Sequence, residues 1–272
     1  MSYYTTEALK ILQDDLATIE SRKNALFMEF ISHKCTAEET EEYMKHGFAR
    51  RLATLARAIQ NIFKFLPPNI TFIPSQNDRK DAEINLQAFV FHVFGCVDNL
   101  ARICVYENRI RKPNGKLIPK SQIGFTKKCT VVRKAISSDL LSILKKYDDW
   151  LELQSEFRHA LAHRIPLYIP PQAVPKKNAE EFTRLDHEIS VIRSKMMKSM
   201  LDQEAFWKLS GEADQLENAQ QKLVRFRPSM LHSFEEKTPE IIFHAQILAD
   251  FRTVETIAKQ VLAEISHTEQ IP

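Results

Sequence analysis

An all-α fold is what this sequence predicts, on three observations. Only 5 of its 272 residues are glycine, 27% are charged, and apolar residues recur at spacings of three and four along most of the chain. Scarce glycine leaves few tight turns, while abundant Leu, Ala, Lys and Glu favour long helices. A chain of this length buries a sizeable core. The expected layout is one helical domain over 1–272. It has an N-terminal helical hairpin at 5–66, a bundle core at 79–170 and 237–266, and a long helical-hairpin insertion at 178–223.

The first helix is expected from Thr5 to about His33, because Leu9, Leu12, Leu16, Ile19, Leu26 and Phe30 follow a helical period. Thr36-Ala37-Glu38-Glu39 reads as a capping box, in which hydroxyl and carboxylate satisfy orphan amides reciprocally. A second helix then runs to Leu66 and stops at Pro67-Pro68. Its early acids, Glu38, Glu39, Glu41 and Glu42, suit the positive pole of the helix dipole and need no ligand to explain them. After a loop, 79–111 is expected to be helical. Between Leu86 and Val105 that helix is apolar almost all round, the mark of a central helix surrounded by others.

Asp98, Asn99 and Arg102 interrupt this apolar run. A carboxylate in such a place must be paired or carry a desolvation cost. Two readings of Asp98 stand: an i,i+4 pair with Arg102, or a support for cationic groups on a neighbouring helix. The next stretch, 109–134, is basic, with Arg109, Arg111, Lys112, Lys116 and Lys120 around the turn Pro113-Asn114-Gly115. Such a loop is either a solvated surface or an RNA-binding one, with only Phe125 to stack on a base. Ser137-Ser138-Asp139 caps the helix that follows.

That helix carries the chemistry. Tyr147, Trp150, Leu153, Phe157 and Leu161 form its core stripe, and it should stop near Arg164, because Pro166 pushes the residue before it out of the α region. His159 and His163 fall roughly opposite the stripe, with Arg158 on its flank. Three cationic or titratable side chains therefore crowd one helix end, where the dipole also suits them. Beyond it, 178–223 repeats apolar residues in a narrow seam, a helical hairpin that is either a partner-binding arm or two more bundle helices. Leu223 to Phe234 reads as a linker. Thr238-Pro239 then reads as the start of a closing helix, with Pro at the first position.

Other classes fit less well. A net charge of +3 argues neither for nor against nucleic acid. Cys35, Cys96, Cys104 and Cys129 have no CxxC spacing. The start, Met1-Ser2-Tyr3-Tyr4, lacks a basic-then-apolar signal, and no uncharged run has the length of a membrane span. A cytoplasmic protein with no membrane partner is expected. So few glycines leave no P-loop, dinucleotide turn or nucleophile elbow. His159 and His163 have a zinc-chelating spacing, but no intervening Glu and no third ligand accompany them. No metal and no cofactor are expected.

Phe157-Arg158-His159-Ala160-Leu161-Ala162-His163-Arg164-Ile165-Pro166, with Trp150 upstream, matches the Arg-x4-6-His motif of the HEPN superfamily, with His159 as the polar residue after the Arg. The chain resembles bacterial small HEPN proteins over its middle and closing helix. The N-terminal hairpin and the insertion lie outside that likeness. The resemblance implies a HEPN-like helical bundle and a metal-independent endoribonuclease acting in stress or defence. It implies a homodimer with the motif at the interface. His163 would be the general acid or base, Arg158 the stabiliser of phosphorane charge, and His159 a relay, with Asp98 and Asn99 in support. RNA is the expected substrate. A protein partner at the insertion fits the other open reading, a catalytically inert scaffold or RNA-binding module.

Overall fold

The structure is a computed structural model that describes residues 2–233, 235–236 and 238–266. It is 71% helix. The chain divides into two compact units: a smaller one, mainly Asn69–Gln76 with Pro170–Arg227, and a larger one made of Tyr4–Pro68, Asn77–Ile169 and the segment from Pro228 onward. The insertion foreseen at 178–223 falls in the smaller unit, and the motif helix in the larger.

In the larger unit α1 (Thr6–Ser32) starts where Thr5 accepts a hydrogen bond from the Ala8 N–H, as its sequence suggests. The chain turns into α2 (Glu38–Glu42), a π-helical turn (Tyr43–Phe48) and α3 (Ala49–Phe65). The capping box at Thr36 does not form. Ala37 is the N-cap without a side-chain bond, and the Thr36 and Ala37 N–H groups donate instead to the Glu107 carboxylate, at 2.7 and 3.4 Å. A long-range carboxylate has replaced the local one.

α4 (Gln76–Glu107) is the central helix, with Leu86, Phe89, Val93, Leu100 and Ile103 all buried. It is long and apolar enough to cross a membrane by composition alone, yet 67% of its most apolar window is buried inside the molecule. α1 packs on α3 and α10 (Phe243–Ser266), and α10 also packs on α3 and α6 (Ser138–Lys146). Ile19, Leu26, Ile59, Phe251, Ile257 and Val261 fill the space between these helices. At roughly 1.5–3 kcal/mol for each large apolar side chain buried, this layer dominates the stability.

The closing helix starts later than Thr238-Pro239. β1 (Ser229–Met230) and β2 (Ile241–Ile242) pair antiparallel, Ser229 opposite Ile242, so Ile241 and Ile242 are strand and the helix begins only at Phe243. His244 at the start of α10 is fully buried and bonds the Leu66 carbonyl at 2.6 Å, tying the end of α3 to α10. α5 (Thr130–Ala135) and α6 precede α7 (Asp148–His163), separated from it by a break at Tyr147. The smaller unit holds α8 (Ala179–Lys198) and α9 (Gln203–Gln221), an antiparallel hairpin closed at its base by Asn178 Nδ2 donating to the Leu223 carbonyl at 2.7 Å.

Candidate functional site

α7 is held at both ends. Near its start the Trp150 indole N–H donates to buried Asp250 of α10 at 2.7 Å, and Arg133 pairs with Asp148 at 2.5 Å. Toward its end Phe157 is buried against the His232 ring, 5.3 Å between centroids. The helix stops as the following proline demands, with the Arg164 and Ile165 N–H groups both donating to Ala160. The exit strand is tied down by Gln87 on the Leu167 carbonyl at 2.7 Å and by the pairing of Tyr168 with Leu231.

Arg158, His159 and His163 are all exposed. The two imidazoles lie 5.0 Å apart between centroids. Arg158 points to α4, its guanidinium 5.3 Å above the Phe94 ring, an arrangement that attracts a cation to a ring face. Arg158 and His163 are five residues apart, hence about 140° apart around the helix axis. The Arg and the His of the motif therefore face different directions on one chain. Arg164, the next cation, is taken by Glu236 at 2.9 Å.

Asp98 lies one turn beyond Phe94 on α4 and is half-buried. Burial pushes its carboxyl above the usual range, opposed by the positive charges of Arg158, Arg102 and Arg51. Neither reading drawn from the sequence becomes a direct contact. Arg102 turns away to the Lys120 carbonyl at 3.3 Å and to the Tyr43 ring, 5.4 Å from its centroid. Asp98 thus acts on Arg158 through its field, and it does not bond a motif histidine.

Asn99 is bonded to an arginine of α3. Its side-chain oxygen accepts from Arg51 Nε at 3.1 Å, and another Arg51 nitrogen lies 3.4 Å from His92 Nδ1. Burial, reinforced by Arg51, lowers the basicity of His92. Two glycines make room: a Cβ on Gly95 would meet Arg51 at 2.4 Å, and one on Gly47 would meet Asn99 at 1.9 Å. Sequence reasoning missed Arg51. The two glycines inside helical stretches of a glycine-poor chain were the available signal.

His232 was missed too. It is buried, its Nδ1 bonds the Ile165 carbonyl at 2.6 Å, and its buried Nε2 has no partner among the described residues. Burial lowers its pKa, so it is a neutral ring packed behind the motif.

The basic loop is a tight turn. Arg111 pairs with Leu117, the Gly115 N–H donates to Lys112, and Gly115 takes a φ of 76° that a side chain would resist. Arg109, Arg111, Lys116 and Lys120 are exposed on it and Lys112 is half-buried. Phe125, expected to stack on a base, is buried instead. The accessible aromatics are Tyr43 and Tyr106, stacked 5.6 Å apart at 14°. They line a groove of about 810 Å³ with Asn99, His46, Lys120 and an acidic rim at Glu38, Glu39 and Glu42. Arg102, touching both Tyr43 and the Lys120 backbone, links this groove to the Asp98 and Arg158 end of α4.

No protein family, curated protein or solved structure matches this chain. Among the described residues no three or more His, Cys, Asp or Glu side chains gather as a metal site would require. The functional reading therefore rests on the chemistry of the α7 end and the groove beside it.

Proposed function

We propose that the protein is a metal-independent endoribonuclease of HEPN type, working as a homodimer. The observation that carries this is the end of α7, where Arg158 and His163 are both exposed yet face about 140° apart. With the two side chains turned that far apart, Arg158 of one copy and His163 of another would flank one phosphodiester. His163 would take the proton of the ribose 2′-OH as its oxygen attacks phosphorus, or deliver one as the bond to the 5′-oxygen breaks. Arg158 would neutralise charge building on the phosphorane. His159, in ring contact with His163, would pass the proton onward.

Asp98 supports this by holding Arg158 over Phe94 through its field, while Asn99 holds Arg51 behind it. Arg109, Arg111, Lys112, Lys116 and Lys120 would contact the RNA backbone, with a base on the Tyr43 and Tyr106 pair. A second reading is favoured by that groove alone, which requires no motif: a catalytically inert RNA- or partner-binding module. Incubating RNA with the protein in chelator separates the two. Wild type should cleave, an Arg158→Ala, His163→Ala variant should not, and RNA bound by both but cut by neither would leave the binding module.

A further inference from the structure

The α8–α9 hairpin distributes its charge unevenly. In its distal half, 191–210, the cations Arg193, Lys195, Lys198 and Lys208 face only Asp202 and Glu204. In the proximal parts, 179–190 and 211–222, the only Lys or Arg are Arg184 and Lys222, and carboxylates outnumber them. Arg184 is paired with Glu181 and Glu188, Arg193 with Glu217, and Asp202 caps α9. Lys195, Lys198 and Lys208 have no ion pair among the described residues. The distal half of the two helices is positive and their proximal half, 179–190 with 211–222, negative.

The same end is apolar. Met197 is 70% exposed, Met200 61%, Leu201 103% and Trp207 68%. The seam between the helices buries Leu185, Ile189 and Ala213, all away from the turn, and leaves these four side chains mostly in the open, Trp207 touching the hairpin edge-on at Phe206. With α8 rising about 1.5 Å per residue, the tip stands roughly 30 Å from its base. A convex apolar tip ringed by free lysines matches a fluid apolar layer beneath an anionic surface. A second copy of the tip would set lysine against lysine.

We propose that this tip docks on an anionic lipid surface, Met197, Met200, Leu201 and Trp207 entering the headgroup layer while Lys195, Lys198 and Lys208 meet the lipid anions. A tip this small does not span a bilayer, so the lack of an uncharged run of spanning length does not bear on it.

The test adds vesicles to the full chain, either phosphatidylcholine alone or an equal mixture with phosphatidylserine. The chain has two tryptophans, and Trp150 is held by Asp250. The mixed vesicles should shift the emission to the blue, and Trp207→Phe should abolish that shift. In co-sedimentation, Lys195→Gln with Lys198→Gln should weaken binding roughly thirtyfold, at about 1 kcal/mol per lysine near such a surface. Leu201→Asp should remove most of the rest. RNA cleavage should be unchanged by these substitutions, which separates this surface from the α7 site. Equal binding to both vesicles, no binding to either, or binding insensitive to the tip substitutions overturns the proposal. Self-association that Leu201→Asp abolishes, without vesicle binding, assigns the tip to a second copy instead. A tight complex with an acidic protein, again without vesicle binding, assigns it to that partner.

Discussion

Replacing Asp250 by Asn should change how the fold depends on pH. Asp250 is fully buried in α10 and accepts from the Trp150 indole and the Gln246 amide, each at 2.7 Å. Burial pushes its pKa from an ordinary 3.8 to about 6, against the pull of those hydrogen bonds. An acid whose folded pKa is raised binds its proton more tightly in the fold. Its favourable contribution is complete below about pH 4 and is lost as pH rises through about 6. At about 1.4 kcal/mol per unit, the gap corresponds to roughly 3 kcal/mol. Asn keeps an acceptor for Trp150 but has no proton to lose. The stability of Asp250→Asn relative to wild type should therefore rise by roughly 3 kcal/mol between pH 4 and pH 8. Denaturant melts of both proteins across this range measure it directly. A difference that stays flat with pH refutes the reasoning, because it would mean that Asp250 is ionised as easily inside as outside.

Gly95→Ala sets a methyl 2.4 Å from the Arg51 guanidinium, which must swing aside and give up its bond to Asn99, and should cost about 0.5–1.5 kcal/mol in thermal melting. Glu107→Ala leaves the Thr36 and Ala37 N–H groups without their acceptor and should cost about 1–3 kcal/mol, whereas Thr36→Ala, whose hydroxyl does not cap α2, should cost far less. Asp98→Asn breaks no ion pair and should shift stability by less than about 1 kcal/mol while impairing RNA cleavage. Unchanged cleavage in that folded variant would remove Asp98 from the site.

Helix ends set by neighbouring residues were legible in the sequence. Thr5 and Ser137 cap as their types suggest, and α7 ends at His163 because Ile165-Pro166 follows, but Ser137 opens α6 and not the motif helix, which starts separately after the break at Tyr147. The central burial of α4 was legible because its apolar residues cover nearly the whole circumference. Features depending on partners far along the chain were not. Thr36 and Glu39 looked self-sufficient until Glu107 arrived from the end of α4. Two-residue strands at 229–230 and 241–242 carry no period to detect, so the sequence alone makes Thr238-Pro239 look like a helix start. The motif's composition and exposure were readable. Its surroundings, Phe94 under Arg158, Arg51 on Asn99 and His232 behind Phe157, depend on contacts across tens of residues that spacing does not encode.

The claim on which the functional account turns is that Arg158 of one copy acts with His163 of another. Mixing Arg158→Ala protein with His163→Ala protein tests it, after unfolding and refolding together so that copies exchange. Half of the dimers should then be mixed, each with one intact Arg and His combination, restoring roughly a quarter of wild-type cleavage from two nearly inactive parents. The products should carry 2′,3′-cyclic phosphate ends, and a 2′-deoxy substrate should resist cutting. A mixture as inactive as its parents, beside an active wild type, would contradict the shared site.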